Sequence, residues 1–206
     1  MSIARVKASS LTQGLPKRKT ILAGNSAILP GSYESIQTVD VGAGGSASVS
    51  FTSIPSTYKH LQIRAIARGT YATGTDAILF KMQVNSDTAA NYSTHFLQGY
   101  GGVATNIGAG GGGGSDYIRL GGLPKDNWTA SVFGPIVIDV LDYANTNKYK
   151  TVRCLSGSDG NSTTVYQYVE FTSGLWRNTN AISSISIFPS TGNISQYSSF
   201  SLYGIK

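Results

Sequence analysis

Residues 60–69, HLQIRAIARG, decide the fold class because apolar and polar side chains alternate along them. Successive side chains of an extended strand point to opposite faces, so a period of two predicts a strand with one buried face. The positions predicted to face the core are Leu61, Ile63, Ala65 and Ala67. The positions predicted to face solvent are His60, Gln62, Arg64 and Arg68.

The same alternation returns along most of the chain after residue 35. Clear examples are AILFKMQV at residues 77–84 and SVFGPIVIDVLDY at residues 131–143. Turn residues separate such runs, which gives about ten predicted strands and no sustained helical period. The sequence therefore predicts an all-β protein, a two-sheet β-sandwich. A jelly roll is the favoured topology because it shelters the sheet edges in a domain of this size.

One segment departs from the alternation. GAGGGGGSD, residues 108–116, contains five consecutive glycines, Gly110 to Gly114. Glycine in a strand interior loses much backbone entropy and offers no side chain to pack. The sequence therefore predicts a long flexible loop here, with a subunit contact as a candidate role.

The bulk composition limits the class of protein. A chain of 206 residues with 40% hydrophobic content fits one domain, or one domain with an extension. The single cysteine, Cys154, excludes an internal disulfide framework, and its alternating context TVRCLSG predicts a buried small side chain. No run reaches the ~18–20 apolar residues of a membrane span, and no signal peptide is evident. We expect synthesis in a cytoplasm and no membrane partner.

The first thirty residues differ from the rest in charge. Five of the sixteen basic residues and none of the ten acidic ones lie there, so this segment carries most of the net charge of +6. We predict an extended basic anchoring arm at residues 1–31, followed by the domain at residues 32–206. Fully extended, thirty residues reach up to ~100 Å. The side chains predicted to bind a partner protein are Arg5, Lys7, Lys17, Arg18, Lys19, Ile21 and Leu22.

A nucleic-acid partner is unlikely on this charge distribution. The remainder of the chain carries eleven basic and ten acidic residues, so it is nearly neutral. Lys17, Arg18 and Lys19 form a small contact patch, not a groove that follows a phosphate backbone. The arm is therefore expected to contact protein.

No pattern of catalytic or metal-binding residues is present. His60 and His95 lack neighbouring ligands, and a metal site needs three or four. Asp139 and Asp142 are three residues apart on a predicted strand, so their carboxylates should point to opposite faces and not converge as a glycosidase pair. Glu170 has no second carboxylate near it in the sequence, and we predict that it occupies an outward strand position. We predict no enzyme, no metal and no cofactor.

Aromatic residues leave carbohydrate binding open. Trp128, Trp176 and the tyrosines Tyr166, Tyr168 and Tyr197 could stack on sugar rings through their apolar faces. In the alternative interpretation, Trp176 closes one end of the sandwich core and Trp128 anchors a loop.

Four segments resemble a module found in many structural proteins of tailed bacteriophages, and together they cover about residues 32 to 206. The segments are SYESIQTVDVGAGGSASVSFTSIPSTYKHLQIRAIAR (32–68), FGPIVIDVLDYANTNKYKTVRCLSG (133–157), VEFTSGLWRNTNAISSISIFPSTGN (169–193) and SFSLYGIK (199–206). GLPKRKTILAGN, residues 14–25, also resembles the anchoring segments that precede this module. The resemblance implies a jelly roll that assembles as a homotrimer, and it brings no catalytic motif.

Modules of this kind are used in two ways, and the resemblance implies a virion protein made in the host cytoplasm in either case. The first expectation is a capsid cement, or decoration, protein on the assembled capsid surface, notably as in phages of cyanobacteria. Its arm would then bind the major capsid protein. The alternative is a tail-fibre or appendage protein that recognises host surface glycans. The arm runs into the module without an intervening shaft, which favours decoration.

Overall fold

The computed structural model describes residues 32–74, 76–100, 103–160 and 167–206. The predicted arm at residues 1–31 lies outside the described residues, as do all seven of its predicted binding side chains. Ser32–Lys206 forms one compact unit.

The prediction of an all-β, two-sheet sandwich is confirmed. The described residues contain no helix, and hence none that could cross a membrane. The strands are β1 (Tyr33–Asp40), β2 (Val49–Phe51), β3 (His60–Ala67), β4 (Ile78–Val84), β5 (Tyr92–Tyr100), β6 (Val103–Ser115), β7 (Ile118–Leu123), β8 (Gly134–Leu141), β9 (Lys150–Ser158), β10 (Tyr168–Trp176), β11 (Ile185–Pro189) and β12 (Ser199–Ile205).

The strands form one sheet of eight and one sheet of four, and all of their pairings are antiparallel. The order in the large sheet is β1-β12-β3-β8-β9-β10-β5-β6, and that in the small sheet is β2-β11-β4-β7. The chain passes between the sheets in the connections β1–β2, β3–β4, β7–β8 and β11–β12, among others. The small sheet ends at β7, which contacts β9 and β10 of the large sheet.

The core lies between the two sheets and follows the alternation of the sequence. All four predicted inward positions of β3 are buried, with Leu61, Ile63 and Ala67 at 0% exposure. Opposite them in register, Ile138 of β8 and Leu202 of β12 are also fully buried. Each such aliphatic side chain contributes roughly 1.5–3 kcal/mol to folding when it leaves water.

The glycine run is not a loop, so that prediction is wrong. Gly110 to Gly114 belong to β6, which pairs with β5 at the edge of the large sheet. Tyr92 pairs with Ser115 and Thr94 pairs with Gly110, so a bulge takes up the extra residues of the run. Gly110 pairs with Thr94 of β5, and Gly111 to Gly114 lie in the bulge of this edge strand, where glycine is best tolerated.

A second bulge sets how closely the sheets approach. In β7 the pairing with β4 shifts at Gly121, whose φ is +95°. A Cβ at this position would lie 2.0 Å from Ser156 Oγ of β9. Glycine is therefore required here both for the left-handed backbone and for the contact between the sheets.

Candidate interaction surface

The two tryptophans predicted as possible glycan platforms are buried. Trp128 is 4% exposed and Trp176 is 1% exposed, so neither ring offers a face to a sugar. This prediction is wrong for both, and the alternative of core and loop packing describes them. Of the tyrosines, Tyr166 and the side chain of Tyr168 lie outside the described residues, whereas Tyr197 is 77% exposed.

Trp176 packs at one end of the core and is held there by a hydrogen bond to a carboxylate. Its indole Nε1 donates to Asp87 Oδ2 at 2.7 Å. Burial raises the pKa of Asp87, but hydrogen bonds from Trp176, Asn91 and the backbone of Ala89 outweigh this and hold it below its usual value. Asp87 is therefore a structural anion, ionised in the folded state.

The isolated titratable residues serve the fold. His60 Nδ1 accepts a hydrogen bond from Asp142 N at 3.0 Å, and the Asp142 carboxylate pairs with Lys148 at 2.5 Å. Cys154 is buried as predicted, and burial raises the pKa of its thiol. Within the described ranges, no three histidine, cysteine or carboxylate side chains are placed to hold a metal ion.

Arg68 corrects the prediction that it faces solvent, since it is only 5% exposed. Its guanidinium donates four hydrogen bonds to backbone carbonyls of the β7–β8 connection and thereby fixes that loop. Nη1 donates to Thr129 O (2.8 Å) and Val132 O (3.0 Å), and Nη2 donates to Asp126 O (2.8 Å) and Trp128 O (3.2 Å).

Glu170 also departs from expectation, because it points inward from β10 and is 0% exposed. Arg119 of β7 binds it with two nitrogens, Nε at 2.5 Å and Nη2 at 2.8 Å. The same guanidinium lies 4.3 Å from the ring centroid of Phe96. A buried carboxylate held by a bidentate arginine is a fixed charge that ties the two sheets together, not a free acid.

Over part of each of β5, β9 and β10 the usual polarity of a strand is inverted. Along part of β10, Glu170 and Thr172 face inward while Val169 and Phe171 face outward. The inward positions on these three strands that are buried and polar are Thr94, Gln98, Lys150, Ser156, Ser158, Glu170 and Thr172, and the same inward sides also carry the core residues Tyr92, Val152, Cys154 and Trp176. A stretch of strand whose polar side is buried and whose apolar side is wet contributes little hydrophobic free energy to folding of the single chain.

The outward apolar side chains form one patch, which we call the outer face. It consists of Ile66, Leu97, Leu155, Val169 and Phe171, with exposures of 57, 46, 52, 54 and 48%. Leu155 pairs with Phe171 and Phe171 pairs with Leu97, so three of them lie side by side on adjacent strands. Among the described residues these five are the exposed large hydrophobics other than tyrosine. Such a patch is on the order of a few hundred Å², the size at which exposed apolar surface on a monomer is usually functional.

A polar row borders the outer face on β3, β8 and β9. Gln62 Nε2 donates to Asp139 Oδ1 at 2.7 Å, and Arg64 Nε donates to Gln62 Oε1 at 2.7 Å. Asp139 is in register with Arg153. An apolar centre bordered by groups of both charges is the usual anatomy of a protein–protein interface.

The chain was compared with protein-family models, curated proteins and solved structures, and it matches none of them. The geometry of the outer face therefore carries the functional argument.

Proposed function

We propose that this chain is a non-enzymatic structural protein of a phage particle, a capsid decoration protein that assembles through the outer face. The observation that carries the assembly role is the inverted polarity of β5, β9 and β10. An isolated subunit leaves five large apolar side chains in water, and a protein partner would remove them from it. The phage setting comes from the resemblance of residues 32 to 206 to virion modules.

The strand order supports a jelly roll as the finer topology. Four strands of the large sheet, β1-β12-β3-β8, would form one half of the roll, and the small sheet, β2-β11-β4-β7, would form the other. On this reading β5–β6 and β9–β10 are two hairpins inserted into the eight-stranded roll, and both extend the large sheet beyond β8. Four of the five apolar residues of the outer face lie on these inserted strands.

The partner proposed for the outer face is a second copy of the chain. Its polar border carries both charges, in Arg153 and Asp139, so the surface can complement itself. A few hundred Å² of apolar surface is of the order expected for the centre of an interface that buries about 800 Å² per partner. A homotrimer, which the resemblance implies, needs a heterologous contact, so one part of the outer face would pack against a different part of the neighbouring copy.

The arm would give the assembly its second attachment. Its basic and apolar side chains suit a groove on the major capsid protein that offers carboxylates and small apolar pockets. Three arms on one trimer would bind as linked ligands, which raises their effective concentration. A ligand specific for the mature lattice stabilises it by mass action.

The test of self-association compares outer-face variants with wild type by analytical ultracentrifugation. We expect a trimer for wild type and a monomer for the double variant Leu155→Ser, Phe171→Ser. At a dilution where both proteins are monomeric, the double variant should melt close to wild type, because both side chains are about half exposed in the subunit. Tyr149→Ser, at a residue 51% exposed outside the outer face, should remain trimeric. A monomeric wild type at tens of micromolar, or a trimeric double variant, would show that the outer face is not a homotypic interface.

The test of the capsid role uses purified particles. Replacing Lys17, Arg18 and Lys19 by alanine should reduce incorporation without changing the oligomer. Copies per particle separate the alternatives: hundreds indicate capsid decoration, whereas a few dozen indicate a tail-fibre or appendage protein. The second function is favoured by Tyr197, an exposed tyrosine that lines a cavity.

A further inference from the structure

A cavity of about 500 Å³ lies among the connections that carry the chain between the sheets. Its walls come from the loops β1–β2, β3–β4, β7–β8 and β11–β12. These loops are distant in sequence, and the fold brings them together in one place. The cavity does not include any residue of the outer face, so the two surfaces are separate.

Tyr197 lines the cavity in a backbone conformation that does not suit it. It is the third residue of a turn closed by a hydrogen bond from Ser198 N to Ser195 O at 3.2 Å. Its φ is +69°, a value that favours glycine or asparagine at this turn position. The ring is 77% exposed, so it returns little hydrophobic free energy to the fold. Because folding does not account for a strained and exposed aromatic residue, we infer that Tyr197 contacts a ligand or partner.

Ser131, another lining residue, shares this strain with a φ of +61°. Gly44 and Gly45 have φ values of +89° and +74°, which glycine adopts without steric cost. Two non-glycine residues from different loops, Tyr197 and Ser131, therefore hold a left-handed backbone beside one cavity. Such unfavourable backbone is often found at functional sites, where the surrounding structure holds it in place.

The polar groups of the cavity suit a neutral ligand. Arg68 contributes a charge, but its guanidinium is already engaged by four carbonyls and lies 3.8 Å from Asp126 Oδ1. The Asp126 side chain is 64% exposed and can accept further hydrogen bonds. Gln196 and Thr70 also line the cavity, so its wall combines amide, hydroxyl and carboxylate groups with an aromatic face.

We propose that this cavity binds one pyranose unit of a neutral saccharide. The apolar face of the sugar ring stacks on Tyr197, and Phe133 provides apolar contact within the cavity. The sugar hydroxyls donate to Asp126 and exchange hydrogen bonds with Gln196. An aromatic platform with a few convergent polar groups is the usual construction of a small-molecule site. The inference does not depend on assembly through the outer face.

The test is saturation-transfer NMR on the full chain with the methyl glycosides of glucose, galactose, mannose and N-acetylglucosamine. We expect transfer to at least one of them at about 10 mM, since a single sugar on an open site binds in the millimolar range. Tyr197→Gly should weaken that binding ~10-fold, which corresponds to the loss of one stacked ring. Its melting temperature should equal or exceed that of wild type, because glycine relieves the left-handed backbone.

Two further variants keep the result unambiguous. Asp126→Asn retains size and should weaken binding while the fold persists. Tyr149→Ala removes another exposed tyrosine, 51% exposed and away from the cavity, and should leave binding unchanged. Absence of transfer to all four glycosides, or a dissociation constant from a ligand titration that Tyr197→Gly leaves unchanged, would overturn the proposal. Either result leaves the ultracentrifugation test of the outer face unaffected.

Discussion

Replacement of Arg68 by methionine is expected to be among the most destabilising single changes in this domain. Methionine keeps much of the length of the side chain but removes every hydrogen-bond donor. The four carbonyls that the guanidinium binds belong to residues 126–132, and they would lose a partner at a site where the arginine is 5% exposed. The β7–β8 loop would then be held only by its remaining contacts.

The magnitude follows from two opposing effects. Each hydrogen bond to a charged group contributes about 1.5–3 kcal/mol, so four of them are strongly stabilising. Burial of the guanidinium costs several kcal/mol, and this same burial lowers the pKa of Arg68. Removal of one partner from such a buried arrangement usually costs about 3–5 kcal/mol, which we take as the expected loss. Arg68→Lys should lose about half as much, since one ammonium cannot reach all four carbonyls.

Urea unfolding followed by circular dichroism measures the loss. Arg64→Met, on β3 four residues earlier, is the control, because Arg64 is exposed and its Nε donates to the side chain of Gln62. Its other described contacts are the rings of Tyr33 and Tyr203, whose centroids lie 5.7 and 5.8 Å from the guanidinium. Arg64→Met should cost less than about 1 kcal/mol. If Arg68→Met were no more destabilising than Arg64→Met, the guanidinium would not be what holds the loop, and this reasoning would fail.

Three further predictions concern the inter-sheet contacts. Glu170→Gln should cost about 3–5 kcal/mol in urea unfolding, because it leaves Arg119 beside a neutral amide, and an unchanged midpoint would contradict the ion pair. The lowered pKa of Asp87 gives stability that is present above the ordinary carboxyl pKa of ~4 and is lost as pH falls through the folded value. Asp87→Asn should therefore flatten the acid side of a stability–pH curve, and an unaltered slope would refute this. Gly121→Ala should cost about 2–4 kcal/mol from left-handed strain and overpacking, whereas Gly42→Ala, with open space around it, should be nearly neutral by thermal melting.

Alternation predicts the fold class well where a strand has one wet face and one buried face. The inward set of β3 was correct because Leu61, Ile63 and Ala65 pack on the core. Arg68 was assigned to the wet side by the same rule. Alternation reports only the period of the strand. It carries no information on the four carbonyls, about 60 residues away in sequence, that surround Arg68. The loop prediction for Gly110 to Gly114 was wrong for a related reason, because an edge strand with a bulge accommodates glycine and Gly110 pairs with Thr94 of β5.

The candidate surfaces were harder to find than the fold. Composition drew attention to Trp128 and Trp176 as platforms, but large aromatics are equally suited to filling a core, and burial decides between the two. Tyr197 differs from both in its exposure and its left-handed backbone, and the sequence displays neither. One sequence signal of the outer face is YVEFTSG, where apolar Val169 and Phe171 alternate with Glu170. Alternation alone cannot say which of the two sides is inward.

The inverted strands explain why the core contains a buried ion pair at this end of the large sheet. The small sheet has only four strands, so its edge strand β7 packs against both β9 and β10 of the large sheet. Arg119 on β7 remains 25% exposed there, which shows that the inner side is not fully closed. A polar inner side with satisfied hydrogen bonds tolerates such partial wetting, whereas an apolar one would not gain the full free energy of burial. Leu97, Leu155, Val169 and Phe171 are on the opposite side, so a second subunit that covered the outer face would add their burial to that of the inward core residues Tyr92, Val152, Cys154 and Trp176.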